Sequence, residues 1–123
     1  MTAGDGFSAV IAEAARQGRE WVLLDGDPPA GDRPFHRREM HVATGIVVAY
    51  GARPAAGGHL EFYTESYFVN RRTGLDLPCG SRRWNRGVFP SLDALMQAVQ
   101  DARDDVLRRF PGLIRNAAGQ AGP

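Results

Sequence analysis

The chain has 123 residues, a net charge of +1, 43% hydrophobic residues and 24% charged ones. That length supports one domain with a core of its own, and the composition excludes a disordered or fibrous chain. The near-neutral charge gives the molecule as a whole no bias toward nucleic acid or membrane, and a single cysteine, Cys79, excludes an internal disulfide and a cysteine-built structural zinc site.

Every one of the 15 basic residues is arginine. A GC-rich coding sequence accounts for this, as the alanine, glycine and proline content also suggests. The alternative cause is selection for flat, bidentate contact with carboxylates or phosphates.

Residues 1–6 are small and polar and are expected to be flexible. Residues 1–18 (MTAGDGFSAVIAEAARQG) lack the basic start and continuous apolar run of a signal peptide, and the longest apolar run, Ile46–Tyr50, is far short of a membrane span. The expectation is therefore a cytoplasmic protein without membrane contact. Phe7, Val10, Ile11, Ala14 and Ala15 recur at helical spacing, with Ser8 or Asp5 as N-cap and Gly18 just past the end. Such a short helix holds only by docking its apolar side. Glu20–Asp25 (EWVLLD) is an apolar run bounded by charges and reads as a buried strand. Gly26–Arg37, with three prolines and two glycines, reads as a long surface loop.

Arg38–Tyr50 alternates, with Met40, Val42, Ile46 and Val48 on one side and His41, Ala43, Gly45, Val47 and Ala49 on the other. Gly51–Gly58 reads as a turn, and His59–Arg72 as the second strand of a hairpin. That strand carries Leu60, Phe62 and Phe68 on its core face and Glu61, Tyr63, Glu65 and Tyr67 on the other. Keeping both apolar sets inside requires even residues to face even ones, with Ile46 near Phe62 and Met40 near Phe68. Tyr63 then falls across from Gly45, where a ring can cover bare backbone.

Arg71–Arg86 is basic and loop-like, and Arg82–Val88 can return as a further strand. Ser91 caps a helix whose Leu92, Leu95, Met96, Val99, Ala102, Val106 and Phe110 share one stripe, until Pro111 and Gly112 stop it. Leu113 and Ile114 add a last contact. The fold expected is α+β: an antiparallel sheet of three to four strands, the C-terminal helix packed on one face, and a short N-terminal helix. One domain spans 7–114, followed by a flexible tail at 115–123.

The candidate surface is Glu61, Tyr63, Glu65, Tyr67, Arg71, Arg72, Arg82, Arg83, Trp84 and Arg86. Arginine and aromatic residues are those most enriched at the centres of protein interfaces. The expected role is non-catalytic docking of a protein partner, of inhibitor, immunity or adaptor type, without a cofactor; a homodimer is compatible with it. The runner-up is a nucleic-acid-binding module built on the Arg71–Arg86 loop, gripping phosphates with arginines and stacking bases on Trp84. Third is a small enzyme in which His41 is oriented by Glu65. His36, His41 and His59 stand in no recognised metal-binding spacing. Cys79, among arginines, has surroundings that favour a thiolate but no partner residue. Asp25-Gly26-Asp27 before two prolines reads as a turn rather than a metal-holding pair.

Overall fold

The computed structural model describes residues 3–70 and 82–109, with side chains from residue 9 onward. Arg71, Arg72, Cys79, Phe110, Leu113 and Ile114 lie outside the described residues. Helix α1 (Ala3–Arg16) precedes strands β1 (Trp21–Gly26), β2 (Phe35–His41), β3 (Ile46–Pro54), β4 (Leu60–Phe68) and β5 (Trp84–Phe89), and helix α2 (Leu92–Arg109) follows. The strands form one antiparallel meander in the order β1-β2-β3-β4-β5. The fold is α+β as expected, with five strands rather than three or four.

The extra strand comes from dividing the alternating run 38–50. After His41 the chain turns through Val42–Gly45: Gly45 takes a positive φ of 74°, and its N–H bonds to the His41 carbonyl at 2.9 Å. Thr44 seals the turn, its hydroxyl accepting from the Ile46 N–H at 3.3 Å and lying 3.0 Å from His41 Nδ1. The turn pairs His41 with Ile46 and Met40 with Val47. An odd residue therefore faces an even one, and Met40 and Val42 part company with Ile46 and Val48. The expected single face of this segment is split between the two sides of the sheet.

The second correction follows from the first. Strand β3 continues through Gly51 to Pro54, and the chain turns at a short 3-10 segment, Ala56–Gly58. Ile46 lies opposite Phe68 and Ala52 opposite Phe62, not Ile46 opposite Phe62. The even-to-even rule holds, because a slip by one residue would send one apolar set to water, but the hairpin is longer than the glycines of 51–58 suggest.

Helix α2 packs as its stripe requires. Ser91 Oγ accepts the Ala94 N–H at 3.2 Å, filling one of the open donors of the first turn. Leu95, Val99 and Ala102 are buried against Phe35, Val48, Tyr50, Ala52 and Phe62. Each large side chain removed from water here contributes about 1.5–3 kcal/mol before entropy. The opposite face is not left wholly open. Ile11 and Ala14 of α1 pack with Val22, Met40, Val42, Val47, Ala49, Tyr67 and Val69. The sheet thus lies between two helices, and α1 takes over part of the face expected to be free. Val42 belongs to this second core and not beneath α2.

Candidate functional site

The α1-side face is built in cross-strand rows. Nearest α1, Met40, Val47 and Tyr67 stand side by side; next come Arg38, Ala49 and Glu65; then His36, Gly51 and Tyr63, with Val88 beyond; last, Arg53 and Glu61. The first row is buried beneath α1. In the remaining rows Glu61, Tyr63 and Glu65 are half-buried, while His36, Arg53, Arg86 and Val88 are exposed.

Small residues on the central strand shape this open part. Because Ala49 and Gly51 project little, the longer chains on β2 and β4 lean across them. The Tyr63 hydroxyl sits 2.8 Å from His36 Nδ1, and the two rings stack with centroids 6.3 Å apart and 20° between planes. Arg53 places its guanidinium 4.8 Å from the centre of the Tyr63 ring and bonds Glu61 through Nε at 3.1 Å. Arg83 lies 4.0 Å above the ring of Tyr67 and 3.3 Å from Glu65, which Arg86 approaches at 3.7 Å. At the β1 edge Arg38 grips both oxygens of Asp25, with the closest contact at 2.5 Å. This bond holds the Asp25 carboxyl below the usual range for aspartate.

Burial pushes the Tyr63 hydroxyl above the ordinary tyrosine value, against the lowering effect of Arg53. Tyr63 therefore stays protonated at neutral pH, and its hydroxyl shares a hydrogen bond with His36 Nδ1. The Thr64 hydroxyl is committed to the Ala49 carbonyl at 3.0 Å. What the open rows offer is planar guanidinium donors suited to carboxylates and carbonyls, beside a phenol ring held in place by His36 and Arg53.

The α2 side holds two separate polar groups. Glu39 accepts from Arg103 at 2.8 Å on both oxygens and from the Tyr50 hydroxyl, and Arg37 approaches at 3.7 Å. Burial first, and then the bond to Glu39, push the Tyr50 hydroxyl up to about 12. Near β5, Asp105 accepts from Asn85 at 3.0 Å and pairs with Arg108 at 3.2 Å and Arg109 at 3.4 Å. Burial raises the Asp105 value, but the Asn85 bond and the two arginines outweigh it and hold the carboxyl low.

Of the residues singled out from sequence, Glu61, Tyr63, Glu65, Arg83 and Arg86 come together on the open rows. Tyr67 shares their face but is only 5% exposed, enclosed in the α1 core. Trp84 is on the other side, opposite Ser66 in the sheet and 5.4 Å from the Phe68 ring. Arg82 is exposed just before β5. His41, 2% exposed, packs edge-on against Trp21 on the α2 side, whereas Glu65 is on the α1 side; the structure does not bring the two together. Sequence reading missed His36, Arg38 and Arg53. The signal for Arg53 was the alternation Val47, Ala49, Gly51, Arg53, which runs on past a glycine that looked like the start of a loop.

Among the described residues no three His, Cys, Asp or Glu side chains group as a metal ion would need. No helix among them is long and apolar enough to cross a membrane. No family model, curated protein or solved structure matches the chain.

Proposed function

We propose that this protein works by holding another protein against the rows of the sheet face that α1 leaves uncovered, an inhibitor, immunity or adaptor role in which no bond is made or broken. The observation that carries the reading is the ordered set of Arg53, Tyr63 and His36 over Gly51. Each side chain is stacked or hydrogen-bonded before any partner arrives. A tyrosine and an arginine already fixed in place lose little freedom on binding, which is where much of the cost of association lies. They are also the types that dominate binding energy when seated centrally. Arginine here alternates with acid, Arg53 with Glu61 and Arg86 with Glu65. A mixed face of that kind favours a partner of defined shape and charge over a uniformly anionic backbone.

The test is reconstitution. A protein that co-purifies in stoichiometric amount from the native host is produced alone and titrated against the full chain. Tyr63→Ala combined with Arg53→Ala is expected to weaken binding roughly tenfold or more, and Gln97→Ala on α2 is expected to leave it unchanged. Binding indifferent to the double variant overturns the reading. Retention on heparin that is lost in Arg82→Ala with Arg86→Ala would favour nucleic acid instead.

A further inference from the structure

The two ends of the sheet are not equivalent. At one edge β1 carries a register break between Leu23 and Asp25, and Asp25 is neutralised by a two-oxygen grip from Arg38. At the other edge β5 pairs with β4 and with no other described strand. Its own irregularity is confined to its first half, where Asn85 takes a positive φ of 53° and the pairing shifts between Thr64 and Ser66. From Gly87 to Phe89 the register is regular, with Gly87 opposite Thr64, Val88 opposite Tyr63 and Phe89 opposite Phe62.

Arginines stand on both flanks of this edge. On the α1 side the Arg86 side chain is 72% exposed and reaches Glu65 only at 3.7 Å, while Arg83 holds the same carboxylate at 3.3 Å. Val88, 59% exposed, stands beside it. On the α2 side a groove between β5 and α2 is lined by Asn85, Phe89, Arg108 and Arg109 and by the carboxylates of Asp101 and Asp105. Arg108 and Arg109 share the single carboxylate of Asp105, and Asp101 in the same groove accepts from Gln97.

We propose that β5 is a docking edge at which an extended, acidic segment of a partner protein adds as a sixth strand, its carboxylates meeting Arg86 on one face and Arg108 and Arg109 on the other. This rests on the protein-docking reading above and gives it a geometry. Strand addition supplies affinity through main-chain bonds, and specificity through alternate side chains. Charge complementarity selects the occupant. A second copy pairing β5 with β5 would bring arginine-bearing edges together, and like charges across strands repel. Residues 71–81 contain one acid, Asp76, and residues 110–123 contain none, so the proposal places the acidic strand on a partner. The arginines that oppose self-pairing therefore favour an acidic strand.

The probe is a fluorescein-labelled peptide alternating glutamate with valine, titrated into the full chain beside a peptide with lysine in place of glutamate. The acidic peptide is expected to bind roughly tenfold tighter than its lysine counterpart, and Arg86→Ala to remove most of that preference. Binding is expected to slow amide exchange at Gly87–Phe89. A peptide N-methylated at alternate residues, which keeps charge but removes main-chain donors, is expected not to bind. Equal binding of acidic and lysine peptides, unaltered exchange in β5, or full binding by the methylated peptide would each overturn strand addition. The natural partner separates this failure from that of the docking reading. If its binding is lost in Tyr63→Ala with Arg53→Ala but untouched by Arg86→Ala, docking stands and strand addition at β5 falls.

Discussion

A methyl group added at Gly51 would collide with the Phe35 carbonyl oxygen on one side and lie 2.8 Å from the Tyr63 hydroxyl on the other. The bare Cα is what lets β2 and β3 close together while Tyr63 reaches over to His36. Gly51→Ala is therefore expected to cost about 1–3 kcal/mol, as overpacking in a filled interior does, and to break the His36–Tyr63 bond. Urea denaturation reads the first effect and the Tyr63 ring resonances the second. Glu39 shows the opposite dependence, on a group being present. It gathers Arg103 and Tyr50 beneath α2, so Glu39→Gln leaves charge without a counterpart and is expected to lose roughly 3 kcal/mol. Tyr50 carries a raised value in the folded state. Its contribution to stability is complete below about pH 10 and disappears as pH rises through about 12. In Glu39→Gln the Tyr50 step is expected to move down toward the ordinary value, seen by ultraviolet titration of tyrosinate. Ser66 is the contrasting case: it is fully buried and its hydroxyl has no hydrogen-bond partner among the described residues. Ser66→Ala removes an unsatisfied group, so a melting point that is unchanged or raised is expected, and a clear drop would contradict the account.

At the level of elements, α1 and α2 are held differently. Helix α2 buries Leu95, Val99, Ala102 and Val106 along its length, whereas among the described side chains of α1 only Ile11 and Ala14 are buried. Helix α1 should accordingly open on its own more readily than the sheet does. Hydrogen exchange is expected to be faster in α1 than in β3 and β4, and Ile11→Ala to speed it further while costing about 2 kcal/mol at most sites of this kind. Equal protection of α1 and β3 would show that the helix unfolds only with the whole domain. The amphipathic period made both helices legible from sequence, because a helix needs only its own neighbours to repeat every third or fourth residue. The division of 38–50 into two strands was hidden by that same locality. Met40, Val42, Ile46 and Val48 keep an even spacing through a four-residue turn, and nothing in the alternation reveals that Gly45 reverses the chain.

For the molecule as a whole, acid is expected to loosen two ties between elements, because Asp25 holds β1 to β2 and Asp105 holds α2 to β5. Both carboxyls are held below the usual value of 3.8. Depressed values stabilise the folded state above the unfolded value and stop doing so as pH falls through the folded ones. The urea midpoint is therefore expected to fall below about pH 4, with a shallower fall in Asp25→Asn combined with Asp105→Asn; an unchanged slope would place the acid sensitivity elsewhere. Sequence by itself determined the α+β class, the capped last helix with its buried stripe, and the even-to-even register of the long hairpin, since each depends on local periodicity or on keeping two apolar sets dry. It also marked Glu61, Tyr63 and Glu65 as sharing a face. Only the tertiary structure decided that Tyr67 is interior, that Trp84 and His41 belong to the other side, and that His36 and Arg53 complete the open rows. Those outcomes depend on where α1 comes to rest and where each hairpin turns, and both are fixed by contacts between residues far apart in the chain.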